Sequence, residues 1–311
     1  MISTNPPVFI VGAPRSGTTL LQYMLKSHPE ISLPTGESHF FIPFYQRRSE
    51  FGNLKNKDNL KALLDEIYQA KKHFFDDDFH GIRFDSEILA DRLHAMEVST
   101  VQDTISALFQ LNAQAEGKKY WGEKTPYYIL HLSTIMEMFP DARIVHIVRD
   151  GRDCALSMLE RRWDLRIFNI YHAAYIWNKY VTSGLEFGKR NPNIYFELKY
   201  ESLLTTPQEV FRELCHFLNI EYSDSLINFK KSSETGKTPL LTQPLQSNNT
   251  HKWKSKFNKK QIKLFEAIAG TTLSACGYET SNQSYKLSTS EWFINESHIR
   301  LCNIYSRLFL D

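Results

Sequence analysis

The stretch VFIVGAPRSGTTLL, residues 8–21, joins a short apolar run to a helix-forming run through a loop bounded by glycines. Residues 8–11 are β-branched or aromatic and stand between Pro7 and Gly12, the pattern of a strand covered on both faces. In TTLLQYMLKS, Leu20, Met24 and Ser27 share one face with Leu21 and Leu25 beside it, which predicts a helix that starts near Thr18 and stops before Pro29. Strand, glycine loop and helix in that order aim a helix N-terminus at an anion. A strand buried on both faces also needs helices above and below it, and this leaves few architectures open.

Further units of the same kind follow. EISL (30–33) reads as a second short strand, RIVHIV (143–148) as a buried one, and RDCALSMLERRW after it as a helix. YWGEKTPYYILHLSTIMEMFP reads as strand, turn and helix, with Pro126 at the first helical position. NIYFELKYESLL supplies another strand and TPQEVFRELCHFLNI an amphipathic helix. Together they predict an α/β fold, a P-loop-like three-layer α/β/α arrangement around a central parallel, doubly wound sheet with residues 8–11 as its central strand. In such a sheet ligands bind beyond the carboxyl ends of the strands. From about residue 53 to 117 the chain is polar and helix-patterned, and STVQDTISALFQLNAQAEG opens on a Ser99/Thr100 cap. We expect residues 1–280 to form one domain, with a helical insert at 43–119 covering one end of the sheet, followed by an extension at 281–311. That extension places apolar residues at helical spacing opposite Arg300 and Arg307, a face for docking on its own domain, on a second copy as a homodimer, or on a membrane surface. Residues 235–260 read as a polar, basic surface loop.

The glycine loop lacks one residue. Gly12 and Gly17 stand five apart, as in the G-x-x-x-x-G-K-[ST] loop, but Thr18 occupies the lysine position and Arg15 sits inside the loop. Backbone N–H groups of residues 12–19 suit a phosphate. The lysine that bridges β- and γ-phosphates is absent, and RIVHIV runs into Arg149 rather than into an acidic metal ligand. Phosphoryl transfer from ATP is thereby disfavoured. With 37 Lys and Arg against 35 Asp and Glu, no global field favours a polyanion such as nucleic acid, so any anion site is local. Cys154, Cys215, Cys276 and Cys302 form no C-x-x-C pair, which argues against a disulfide framework and a zinc site and for a reducing compartment. The N-terminus has no basic region leading into a secretory apolar stretch, and no window approaches the ~20 apolar residues that span a bilayer. The expected setting is cytoplasmic.

FIVGAPRSGTTLLQYMLKSHPEI followed by RIVHIVRDGRDCALSML resembles the two nucleotide-binding signatures of the sulfotransferases that use 3′-phosphoadenosine 5′-phosphosulfate. The P-R-S-G-T-T form is most similar to the tyrosylprotein branch and its bacterial relatives, and ESHFF to the E-x-H-F-F string of heparan sulfate 3-O-sulfotransferases. GEKTP, LKYESLLTTP and THKWK carry the similarity in pieces to about residue 277. The resemblance implies sulfuryl transfer to a hydroxyl of a sugar, lipid, peptide tyrosine or small molecule, with 3′,5′-adenosine bisphosphate as product and no metal. It implies that Arg15, Ser16, Gly17, Thr18 and Thr19 hold the 5′ side of the donor, and that Arg149 and Ser157, with Arg161 one turn on, hold the 3′-phosphate. On the residues alone, Arg149 could instead pair with Asp150 or Asp153. Glu37 maps to the base that takes the acceptor proton, kept ionised by Arg15 or Lys124, and His39 is the second choice. Lys124 maps to a cation at the sulfuryl group, Tyr200 to an adenine contact, and Lys252 and Trp253 to a late donor-binding loop, Lys252 for a phosphate and Trp253 over the base. Two rivals remain open at this point, a small-molecule kinase and a non-catalytic nucleotide-binding protein of the same fold. The acceptor is expected to be read by the insert and by the loops near residues 162–172.

Overall fold

The strand pattern of residues 8–12 is borne out by two separate cores. A computed structural model describes residues 5–229, 249–281 and 285–309. Along β1 (Val8–Gly12), Phe9 and Val11 join an apolar cluster on one face, and Val8 and Ile10 join another on the opposite face. This is what alternation does to a strand with a layer on each side. The sheet order is β2-β3-β1-β4-β5, with β2 (Ile31–Ser32), β3 (Tyr120–Lys124), β4 (Arg143–Val148) and β5 (Tyr195–Lys199), all pairs parallel. In register, Ile10 stands beside Lys124 on one side and Val145 on the other. The carboxyl ends of β3, β1 and β4 therefore lie next to one another.

α1 (Thr18–Lys26) follows β1 as the spacing predicts. The insert contains α2 (Phe41–Gln46), α3 (Lys57–Ala70), a π-helical turn (Phe74–Asp78), α4 (Ser86–Ala95) and α5 (Val101–Ala115). Thr100 caps α5 by accepting from Asp103 N. Leu60, Leu63, Ile67, Phe75 and Phe109 of the insert share one cluster with Phe9 of β1, so insert and sheet have a common core.

After β3 the chain departs from the expected single helix. A 3-10 turn (Pro126–His131) with Pro126 at its start precedes α6 (Leu132–Met138). α7 (Gly151–Glu160) and α8 (Arg162–Leu165) follow β4, then α9 (Ile170–Arg190), a helix not predicted from the sequence. α10 (Tyr200–Thr205) and α11 (Pro207–Leu218) follow β5. Of the loop expected at 235–260, residues 235–248 lie outside the described residues. The rest is α12 (Trp253–Lys256) and the start of α13 (Lys259–Ala275), anchored through buried Trp253 and Phe257 rather than irregular. α14 (Thr289–Phe309) closes the chain. Among the described residues no helix is long and apolar enough to cross a membrane.

Candidate active site

The loop after β1 is shaped by two left-handed residues, Arg15 (φ 69°) and Gly17 (φ 101°), the latter capping α1. A side chain at Gly17 would meet the Tyr200 ring at 2.4 Å, and one at Gly12 would meet the Ile147 carbonyl and Ser16 Oγ, each at 2.7 Å. Only glycine lets the loop pack this closely on β4 and α10. Thr18 and Ser16 are buried, and Ser16 Oγ has no hydrogen-bond partner among the described residues.

Arg15, Arg149, Ser157 and Arg161 converge on this loop. Arg15 Nε donates to Ser157 Oγ at 2.9 Å, and Arg149 Nη1 donates to the Arg15 carbonyl at 3.3 Å. Burial lowers the Arg15 pKa, and the like charges of Arg161 and Arg149 lower it further. Arg161 is partly neutralised by Asp164, 2.9 Å away. Among the described residues Arg149 has no carboxylate partner: Asp150 is held by Arg152 at 2.8 Å, and Asp153 accepts from the backbone of His251 and Trp253. Its guanidinium donates to the Asn249 carbonyl at 2.9 Å and lies over the Tyr200 ring at 4.4 Å, while Nε, although buried, has no partner among the same residues. An anion-shaped deficit of acceptors thus sits between the ends of β1 and β4.

Tyr200 is a wall of this pocket, its hydroxyl accepting from Asn249 Nδ2 at 2.7 Å. Lys252 is exposed and leads into α12. Trp253 is buried, donates Nε1–H to Asp150 at 3.1 Å, and carries the Arg152 guanidinium on its ring at 3.8 Å, so one ring face is already covered. Sequence reasoning missed Asn249; Asp150 and Asp153, offered there as partners of Arg149, instead hold the 249–253 segment beside it.

Glu37, Lys124 and His39 form a second cluster, on the β3 side of the loop. Lys124 Nζ donates to Glu37 Oε1 at 2.7 Å, and His39 Nε2 lies 2.9 Å from Glu37 Oε2. Burial opposes ionisation of Glu37, but the hydrogen bonds from His39 and Lys124 and the Lys124 charge outweigh it and hold the carboxyl at about 2. The cation that acts on Glu37 is therefore Lys124 and not Arg15, and His39 adds a hydrogen bond. His39 is partly exposed in a left-handed conformation (φ 54°), whereas Phe40 and Phe41 are buried, with Phe41 at 5.2 Å from Phe109.

The neighbour of Lys124 was overlooked in the sequence. Glu123 is buried at the end of β3, accepts from Ser38 N and Ser38 Oγ at 3.2 and 2.9 Å, and is pushed up to about 7 by desolvation. The signal available was a carboxylate beside Lys124 in a strand that opens on Tyr120 and Trp121. Among the described residues no group of three or more His, Cys, Asp and Glu is arranged to hold a metal ion.

Comparison with known proteins finds relatives in sequence and in fold. A protein of Aquifex aeolicus (strain VF5) is 23% identical over 260 residues, 80% of this chain but 30% of its own length. Protein-tyrosine sulfotransferase 1 of Danio rerio is 23% identical over 287 residues, 88% of this chain and 72% of its own. The solved sulfotransferase domain of the Synechococcus PCC 7002 olefin synthase superposes with a TM-score of 0.58 at 24% identity, covering 86% of this chain and 96% of that one, a likeness of fold. The profile of the Sulfotransferase family matches residues 6–224, and the chain belongs to that family.

Proposed function

We propose that the chain transfers a sulfuryl group from 3′-phosphoadenosine 5′-phosphosulfate to an acceptor hydroxyl by in-line displacement. The N–H groups of residues 12–19 and the α1 dipole suit the 5′-phosphate. Arg149 and Ser157 suit the 3′-phosphate, the one by charge and the other by a directional donor, and Arg161 adds charge at the rim. Arg15 and Lys124 supply positive charge where negative charge accumulates on the oxygens around sulfur. Glu37 accepts the hydroxyl proton as the acceptor oxygen bonds to sulfur. The S–O bond to the 5′-phosphate breaks in the same step, and its electron pair stays on the phosphate oxygen beside those cations.

The observation that carries this reading is Arg149. It is buried, has two aspartates as near neighbours in sequence, and pairs with neither, while its Nε and Ser16 Oγ lack acceptors among the described residues. Buried donors are seldom left unmatched, and a doubly phosphorylated ligand supplies what both need. The zebrafish relative is named a protein-tyrosine sulfotransferase, which makes a tyrosine hydroxyl the first acceptor to test.

Thermal shift with 3′,5′-adenosine bisphosphate, AMP, and ADP plus magnesium tests the donor assignment. Only the bisphosphate should stabilise strongly, by about 2.7 kcal/mol at 100 times its Kd. Equal shifts with AMP would remove the role of Arg149 and Ser157, and a dominant ADP shift would favour a kinase. For the base, Glu37→Gln should keep the bisphosphate shift and lose roughly 10²- to 10⁴-fold in transfer from labelled donor to p-nitrophenol or a tyrosine peptide. Tight bisphosphate binding with no transfer to either acceptor by the parent would support the non-catalytic reading.

A further inference from the structure

We infer that Glu123 is a positioning residue, a buried carboxyl that fixes the segment carrying Glu37 so that Glu37 meets Lys124. The inference rests on the reading of Glu37 as the base. Two adjacent residues of β3 engage two adjacent residues of the segment: Lys124 reaches Glu37 at 2.7 Å, and Glu123 reaches Ser38. The second pair is the anchor. Glu123 Oε1 accepts from the Ser38 backbone at 3.2 Å, from Ser38 Oγ at 2.9 Å and from Thr125 Oγ1. Ser38 Oγ is also 2.8 Å from the hydroxyl of Tyr128, which in turn accepts from Phe41 N at 3.1 Å. Glu123, Ser38 and Tyr128 are each no more than 1% exposed.

The segment is held from the insert side as well. Thr35 Oγ1 donates to Asp78 Oδ1 at 2.6 Å, and a side chain at Gly36 would run into Asp78 Oδ2 at 2.1 Å. Between these fixed points the backbone turns through the left-handed His39, which brings the His39 and Glu37 side chains together. Such a conformation persists in a non-glycine residue only where its surroundings over-determine it.

A buried carboxyl is a costly way to fill a core position. Glu123 Oε2 has no hydrogen-bond partner among the described residues, and the ion-paired cation next to it in sequence, Lys124, is committed to Glu37. An apolar side chain would pack there at lower cost. The arrangement makes physical sense if three hydrogen bonds converging on one oxygen are needed to set the backbone of Ser38, and through it the carboxylate of Glu37, to the tolerance that a proton-accepting group requires.

The test compares Glu123→Ala, Glu123→Gln and Ser38→Ala with Glu37→Gln, using labelled donor, p-nitrophenol as acceptor, and the bisphosphate thermal shift as the measure of the donor site. Glu123→Ala should lower kcat about 10²-fold, the scale of an ångström-sized misplacement, with the bisphosphate shift unchanged. Glu123→Gln should rescue most of that loss, because the amide oxygen can accept the same three hydrogen bonds. Ser38→Ala, which keeps the backbone N–H but loses the link to Tyr128, should fall between. Parental kcat in Glu123→Ala would overturn the inference while leaving Glu37 as base. Equal losses in the Ala and Gln variants would overturn it by assigning the role to charge, and loss of the bisphosphate shift together with kcat would overturn it by assigning Glu123 to general stability. If Glu123→Ala does not fold, Ser38→Ala and Thr125→Val carry the test, and parental kcat in both overturns it. Retained turnover in Glu37→Gln is the separate result that removes the base reading itself.

Discussion

Glu37 and Glu123 are both carboxyls near Lys124, yet their environments push them in opposite directions. Glu37, held at about 2 by His39 and Lys124 against its burial, is ionised throughout the neutral range. A depressed carboxyl contributes stability above its unfolded value of about 4.3, and that contribution is lost as pH falls toward the folded value. In kcat/KM, the acid limb belonging to Glu37 should therefore lie well below neutrality. A limb near pH 6 to 7, roughly, would point to an imidazole as the base. Glu123 is the reverse case, raised to about 7 because desolvation outweighs its hydrogen bonds. Here the stability is present below the unfolded value and is lost as pH rises through about 7. Between about pH 4.5 and 7 the Tm of the parent should fall with a slope that Glu123→Gln flattens, since the amide cannot ionise. Equal slopes in the two proteins would mean that Glu123 is not the group titrating.

The elements that position the proposed donor site were legible because their signals are local. β1, its loop and α1 lie within 19 residues, Val8–Gly12 and Thr18–Lys26, and each is written in strand periodicity, glycine placement or helical spacing. Gly17→Ala should accordingly abolish the bisphosphate thermal shift. It forces a β-carbon into a left-handed residue, at about 1 to 2 kcal/mol, and onto the Tyr200 ring that supports Arg149. A normal shift in that variant would mean the loop does not grip the ligand. Long-range contacts left no such trace: Ser38 and Glu123 are 85 residues apart, and nothing in either neighbourhood announces the other. α9 was not predicted, although its spacing is helical. Its buried stripe runs through Ala173, Ala174, Trp177, Val181, Gly184 and Gly188, where small residues let the helix lie against His146 and Tyr195. The helix predicted after Pro126 was recognised but drawn too long, because its first turn is wound as 3-10.

At the scale of the whole molecule, the sheet order divides the labour of the site. β1 sits between β3, which ends in Glu123 and Lys124, and β4, which leads into Arg149, so the Glu37–Lys124 pair and the Arg149 cluster flank the glycine loop from its two sides. α14 stands apart from this arrangement. It meets the body through Asn169, which donates to the Asn295 carbonyl at 3.4 Å, and through Trp163, 5.6 Å from the Tyr305 ring. Phe293, Ile294, Leu301 and Ile304 are each 55 to 67% exposed, on the same outward side as Arg300, so the apolar positions expected to dock on the domain face away from it. Large apolar groups left in water contribute nothing to the folded state, since the hydrophobic gain comes only with burial. Ending the chain after Ser281 should therefore lower Tm by no more than about 4 °C, the equivalent of roughly 1 kcal/mol, and leave the bisphosphate shift intact. Thermal melts of the two chains with and without 3′,5′-adenosine bisphosphate check both parts. A lost ligand shift in the shorter chain would show that α14, through Trp163 and the adjoining Arg161, helps to order the donor site after all.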